Sequence, residues 1–561
     1  MTPRRQPELP QDGRPVPRVS NSSTAAIKSA SVPRWRFWLL STGVCLGLFL
    51  SMTDSTIIAT SLFVIARDFR SFDSVNWVAL AYTLSYLGCA VTFAQFSDVI
   101  GRRNAFVAAH LLFLVFSMAC GFSKSLFMLI AFRALQGIGG SGLYALSMVV
   151  LPELCPRELQ QHIGSLIGLV IAGSGVLGPI LGGILTEYAS WRWVFWINGP
   201  VGTVSLIILL AAWPQTHRLS LREGASWKNF DYAGSFLIIT ASVLVVFAFQ
   251  NMGETENPSW ASAVFIGPLV GGGTGWLALI VWEVFATRRM HRGFSPAFPV
   301  DLFRNRTYAA AAVSTMFLGY PYLLLMYTFP LKAHIVSGKS ALLSSMTLLP
   351  MLGASAVGSV ISGKVNTARN AQCETILAGA CFMTLGCGLL TGVAGAKDDE
   401  KALGFLTFAG FGFGLSTAAA TILVAVEAPQ RDHAAAQGIL AQLRVLGGSL
   451  GISTSTVLVR GEAAKPYAPT LSQGSQDAER LKDGWNETLL RLETVHEAYD
   501  EAFRKGMVCA AAISGAAILV ALAGYRKRAT GSQSQRDAMV EDEGSVVIPG
   551  NPTDQTRAGA V

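Results

Sequence analysis

Charge is what this chain has little of. Only 14% of its 561 residues are Asp, Glu, Lys or Arg, against 51% hydrophobic, where a soluble domain usually carries about 25% charged residues. That shortage excludes an ordinary water-soluble enzyme or binding module as the bulk of the molecule. No P-loop is present, so nucleotide hydrolysis is not the evident energy source. The His residues form no cluster, and the eight cysteines sit almost all in or beside apolar stretches. Neither set has metal-ligand or disulfide-framework spacing. No metal or cofactor is expected, and no cluster of nucleophile and base suggests an intramembrane enzyme. The net charge of +8 does not point to nucleic acid. The basic residues flank the apolar stretches and do not gather into one patch.

What the chain does have is fourteen stretches long enough to cross a bilayer, at roughly 20 apolar residues each. They are expected at 36–58, 74–96, 104–122, 126–150, 161–186, 193–213, 232–250, 261–285, 308–330, 340–362, 373–395, 402–426, 435–458 and 507–525. With a cytoplasmic N-terminus, the short inner loops hold 14 Lys and Arg and the short outer loops 8, the positive-inside bias. The polar first 33 residues do not read as a secretory signal, and the first span serves as the insertion signal.

The fold class expected is an all-α polytopic membrane protein. Residues 1–35 and 527–561 read as disordered cytoplasmic tails, because they have little apolar surface to offset ordering entropy. Residues 36–213 form a first six-helix bundle, 214–306 a linker with two additional helices, and 307–526 a second six-helix bundle with an outer loop at 459–506. Asn486-Glu487-Thr488 in that loop is an N-glycosylation triplet. The two bundles resemble each other: shifted by 274 residues, Gly140, Gly164 and Gly173 fall on Gly414, Gly438 and Gly447. Glu153 and Arg157 after span 4 likewise match Glu427 and Arg431 after span 12. Parallel repeats of this kind are a transporter feature.

Only two basic residues, Arg133 and Arg444, lie well inside spans. An intramembrane Arg costs several kcal/mol, about 2.5 or more, unless paired or hydrated. Arg133, followed closely by Gln136, is expected to face the bundle interior, bound to a carboxylate or to backbone carbonyls. Arg444 either does the same or snorkels to the cytoplasmic interface. Asp54, in the outer part of span 1, can take up and release a proton, or simply be wetted by an outer vestibule. The loop Asp98-Val99-Ile100-Gly101-Arg102-Arg103 suits a tight turn, since Gly101 tolerates positive φ. Asp98 there can pair with Arg102 or Arg103 and latch two halves, or the loop is only a basic topology signal. Span 5 holds Gly168, Gly175, Gly178, Pro179, Gly182 and Gly183. Small residues four apart let helices approach closely, and Pro179 can bend the helix.

Taken together, these motifs resemble the major facilitator superfamily, and within it the fourteen-span drug:proton antiporter branch in its fungal form. Asp98 to Arg103 resembles the loop 2–3 signature, Arg133 to Gly142 the span 4 signature, and Gly168 to Gly183 the antiporter signature. Asp54-Ser55-Thr56-Ile57-Ile58 and Trp191 to Asn198 resemble that branch in spans 1 and 6. Two departures are Ala94, where the loop signature opens on Gly, and Thr53 before Asp54, where an apolar residue is usual. The resemblance implies conformational gating by Asp98, Arg102 and Arg103, and proton coupling at Arg133.

The function expected is proton-coupled efflux of small amphipathic compounds, by a carrier without enzymatic activity. Its partners are the lipid bilayer, a small-molecule substrate and protons, with no nucleic acid. A monomer in the plasma membrane is expected, with the vacuolar membrane second. Proton-coupled uptake or storage of a nutrient such as a siderophore or basic amino acid is the nearest alternative, and a non-transporting sensor the alternative of another class.

Overall fold

In lipid, every backbone N–H and C=O must be satisfied within the protein, which leaves helices as the economical solution for long apolar runs. The computed structural model describes residues 34–71, 74–155, 160–213, 227, 230–254, 262–289, 296–393, 395, 398–429, 432–464 and 484–525, and no β-strand occurs among them. In the first half, α1 is Arg34–Phe69, α2 Asn76–Ile100, α3 Arg102–Gly121, α4 Leu126–Leu154, α5 Gln160–Tyr188, α6 Trp193–Trp196 and α7 Asn198–Ala212. The middle pair is α8, Tyr232–Glu254, and α9, Ala263–Arg289. In the second half, α10 is Arg306–Ile335, α11 Ala341–Met346, α12 Leu349–Arg369, α13 Gln372–Leu390, α14 Asp399–Glu427, α15 His433–Ala464 and α16 Gly484–Ala523.

Thirteen helical stretches are long and apolar enough to cross a membrane, α6–α7 and α11–α12 each counting as one. The fourteenth expected span is α15, which is long enough but more polar. Gln437, Gln442, Arg444, Ser449 and Ser453 on it are all buried, so protein and not lipid covers this helix. Several helices outrun the apolar stretches that announce them. α1 continues past residue 58 to Phe69, and α16 starts at Gly484, well before 507. Asn486 therefore lies in the first turn of a helix, and not in an irregular loop.

Packing follows the two halves. One apolar core joins α1, α2, α3, α4, α5 and α7, and another joins α10, α12, α13, α14 and α16. Between halves, α5 packs on α12 and α14, while α15 packs on α2 and α4. The middle pair is not wholly peripheral. Ser235 of α8 donates to Gln95 of α2 at 3.2 Å, and Gln442 of α15 donates to Ser242 of α8 at 3.2 Å. α8 thus bonds to both halves, while α9 is the least covered span at 17%. Carboxylates on this pair fix the chain entering α10. Asp231 accepts the Ala297 N–H at 3.1 Å, and Glu283 accepts the Phe298 N–H at 2.6 Å.

Candidate functional site: a buried ion pair between two cavities

Asp54 lies fifteen residues before the end of α1, in a polar turn where the hydroxyls of Ser55 and Thr56 bond to the helix itself and that of Thr53 is buried without a partner. Ser55 donates to the Met52 carbonyl at 2.7 Å and Thr56 to the Thr53 carbonyl at 3.0 Å. Such local bonds satisfy Ser55 and Thr56 in an apolar setting and leave the carboxylate as the charged group needing partners. It finds three: Arg133 Nη1, Gln136 Nε2 at 3.0 Å and Asn198 Nδ2 at 3.0 Å. Arg133 also donates to the Val78 carbonyl at 3.1 Å and to Gln136 Oε1 at 2.9 Å. Its guanidinium stands 4.2 Å from the Tyr82 ring. Both side chains of the ion pair are fully buried. Removing one partner of such a pair typically costs about 3–5 kcal/mol, because the other charge is left uncompensated.

The structure brings Asp54, Arg133 and Gln136 together. It adds Asn198, whose amide also donates to Ser117 at 2.9 Å. A polar residue at the mouth of an apolar span was the signal in the sequence for Asn198. Nothing in the sequence singled out Tyr82.

At the end of α2 a second charged cluster forms. Arg102 pairs with Asp98 at 2.5 Å and with Glu153 through two bonds, at 2.9 and 3.1 Å. It also donates to Ser97. Gly101 makes the one-residue turn between α2 and α3 with φ of 90°. No heavy atom lies within 4 Å of a Cβ built there, so the demand is conformational and not steric. Arg103 is exposed and stands apart from this cluster. Glu427, the counterpart of Glu153 at the end of α14, accepts from Asn305 at 2.9 Å. Arg157 and Arg431 lie outside the described residues. Just beyond Glu153, burial pushes the Cys155 thiol up to about 12.

The small residues of α5 divide their duties. Gly178 abuts α1, where a Cβ would meet Thr56 Oγ1 and lie 3.1 Å from the Thr53 carbonyl, next to Asp54. Gly168, Gly175 and Gly183 face the second half instead, against Ser359, Leu352 and Leu342. Gly182 and Pro179 are buried beside them. The glycine-rich helix is therefore one wall of the interface between halves.

That interface is shut at the Gly101 end. Gly164 of α5 abuts Ile422 of α14, and Gly438 of α15 abuts Ala94 and Val91 of α2. At the opposite end it holds a cavity of about 1040 Å³, lined by α1, α2, α5, α8, α10, α11, α15 and α16. Buried Lys332, neutralised by Asp500 at 2.7 Å, lies on its wall. A second chamber of about 90 Å³ is lined by Tyr82, Tyr86, Tyr144, Tyr322 and Arg444. Arg444 does not snorkel: it is buried and donates to the Tyr144 hydroxyl at 2.8 Å. Tyr327, on the wall of both spaces, donates to the Ser55 carbonyl at 2.7 Å. The triplet Gly338-Lys339-Ser340 lies between α10 and α11, with Ala333 where a P-loop needs its first glycine. Ser340 caps α11 and Lys339 pairs with Asp399 at 2.6 Å. Among the described residues no His, Cys, Asp and Glu group could hold a metal ion.

Comparison with known proteins gives a consistent picture. The family model described as Major Facilitator Superfamily matches residues 44–452. The "MFS-type transporter FPY5" of Fusarium mangiferae is 31% identical over 503 residues, covering 87% of this chain and 84% of the relative. The "MFS-type efflux pump MMF1" of Pseudozyma antarctica is 30% identical over 443 residues, covering 78% and 80%. Among solved structures, the human organic anion transporter MFSD10 superposes with a TM-score of 0.52 at 13% identity, covering 84% of this chain and 99% of that one. At that identity the likeness concerns the fold alone.

Proposed function

This chain belongs to the major facilitator superfamily, and from that premise we propose that it is a proton-driven exporter of small amphipathic organic compounds. Membership makes it a multi-pass membrane transporter of a small molecule, and not an enzyme. Export is the reading favoured by relatives named efflux pumps, such as MMF1 and the "MFS-type efflux pump LUC4" of a Fusarium species. A secondary metabolite or toxin is then the natural cargo, and the plasma membrane the natural site. Residues 36–213 and 307–526 are the two units that move as single chains, with 214–306 as the linker pair between them.

The observation that carries the mechanism is the Asp54–Arg133 pair, sealed from water beside Ser55, Thr56 and Tyr82 of the smaller chamber's wall. A proton on Asp54 removes the counter-charge of Arg133 in a place where an uncompensated cation is costly. Protonation therefore cannot leave the surroundings unchanged: Arg133 must find other partners, and α1, α2 and α4 must shift together. A proton biases an equilibrium only through its different affinity for the two states, and this pair provides such a difference. At the other end, Arg102 with Asp98 and Glu153 forms a latch that breaks when the cytoplasmic side opens.

The test is Asp54→Asn in proteoliposomes under an imposed pH gradient. The variant should fold and still bind dye, while gradient-driven dye movement falls to the level of empty vesicles. Undiminished gradient-driven transport would show that Asp54 does not couple to protons. Direction is read separately, by comparing medium and cell extract in the native host with and without the gene. Loss of a compound from the medium with accumulation in cells means export, and the reverse means uptake.

A further inference from the structure

The two intramembrane arginines are not treated alike. Arg133 has a carboxylate partner, and Arg444 has none among the described residues. Arg444 is 8% exposed, its Nη1 donates to the neutral Tyr144 hydroxyl, and its Nε has no hydrogen-bond partner. A buried cation left this way is expensive unless something brings a negative charge to it. Asp54 cannot serve, since Arg133, Gln136 and Asn198 already occupy it.

The chamber beside Arg444 indicates what does. Its walls are aromatic: Tyr82, Tyr86, Tyr144, Tyr322 and Phe413. Tyr322 stacks flat on Phe413 at 3.5 Å between centroids, and its hydroxyl has no partner. At about 90 Å³ the chamber is too small for a whole ligand, which needs a few hundred Å³. Thr83, Tyr327 and Ile452 line both this chamber and the large cavity, so a molecule in the cavity can place one end here. The free groups are donors and the walls are π-faces. That combination suits a negative charge spread over a planar conjugated group: an aromatic carboxylate, a phenolate or an enolate.

We infer that Arg444, with the Tyr322 hydroxyl, recognises the acidic head of the transported compound, so that the cargo class is planar organic anions. The inference rests on the export reading for what enters the cavity. The test uses the full chain in nanodiscs of phosphatidylcholine only, which removes anionic lipid as a competing source of charge. Ligands are matched pairs, 1-pyrenecarboxylate with 1-pyrenecarboxamide and 2-naphthoate with 2-naphthamide. The acids should bind about tenfold or more tighter than their neutral partners, the effect of one charge-assisted hydrogen bond. Arg444→Gln should erase that preference, Arg444→Lys should keep part of it, and Tyr322→Phe, which loses only a hydroxyl, should weaken the acids alone. Equal binding of acid and neutral partner by the native protein overturns the inference. So does failure of both acids to bind, or a preference that survives in Arg444→Gln. Export of the neutral compounds alone from cells would leave the exporter reading standing while this inference fails. Acid-selective binding without export would do the reverse.

Discussion

At the scale of single residues, the buried ion pair depends on groups that differ in how plainly they announce themselves. Asp54 and Arg133 are legible because an ionisable residue inside an apolar span stands out, and Gln136 because it follows Arg133 by one helical turn. Asn198 is less so, since an amide at a span entrance also suits plain capping. Its contribution can be measured. Asn198→Ala removes one hydrogen bond to an ionised acceptor, worth about 1.5–3 kcal/mol, and should slow gradient-driven transport about tenfold without abolishing it. Transport equal to the native rate would mean that the Asn198 bond to Asp54 does not bear on transport. Gly178 offers a contrast in packing. Valine there drives a side chain into Thr56 and the Thr53 carbonyl, an overpacking cost of about 1–3 kcal/mol. Alanine at Gly173, where no heavy atom lies within 4 Å of a Cβ, should be silent. Thermal unfolding of the two variants checks the pair. Cys155 reports on the neighbouring Arg102–Asp98–Glu153 cluster. With its thiol pushed up to about 12 by burial, almost no thiolate exists at neutral pH, and the thiolate is the reactive form. Peptide-resolved maleimide labelling of Cys155 should be slow in the native protein and at least several-fold faster in Glu153→Gln, which weakens the ion pair to Arg102.

At the scale of elements, periodicity and hydropathy located the spans, but the covering of each helix was not legible in the sequence. α15 shows why. Its polar residues lower its hydropathy, yet they are buried against α2, α4, α8 and α10, so hydropathy alone understates how central it is. Helix ends were missed for a related reason. α1 and α16 continue as helices carrying charges, such as Asp68 and Arg504, beyond the apolar run. The sequence marks the middle pair only as two additional helices in a linker, and α8 touches α2 and α15 alike. Gly88 marks a close approach, since a Cβ there would lie 3.0 Å from Ile239 of α8. Gly88→Leu should wedge α8 away from α2, costing about 1–3 kcal/mol. If α8 straps the halves together, this variant should lose transport more than the modest fall in melting temperature explains. Native transport with the same fall would make α8 a passive neighbour.

At the scale of the whole molecule, the weak repeat in the sequence has a physical counterpart. Gly140 of α4 abuts Tyr82 of α2, and Gly414 of α14 abuts Ser355 of α12. Gly164 faces α14 across the interface, and Gly438 faces α2 across it. The third pair does not follow, because Gly173 lies open while Gly447 meets the Met316 carbonyl. Only the first coincidence, Gly140 with Gly414, therefore marks an equivalent helix pair in the two halves; Gly164 and Gly438 both meet the opposite half, but on its fourth and second spans respectively. The seam at the Gly101 end is where separation would have to begin if the halves rock. A Cβ on Gly438 would stand 3.3 Å from that of Ala94, close to the ~3.5–4.5 Å spacing of a disulfide. The double variant Ala94→Cys, Gly438→Cys should therefore cross-link on mild oxidation. That bond ties α2 to α15 and holds the seam shut, so transport should stop and return on adding reductant. A fully cross-linked protein that still transports would mean that the halves do not part at this end, and the cavity on the other side would then have to exchange its contents by another route.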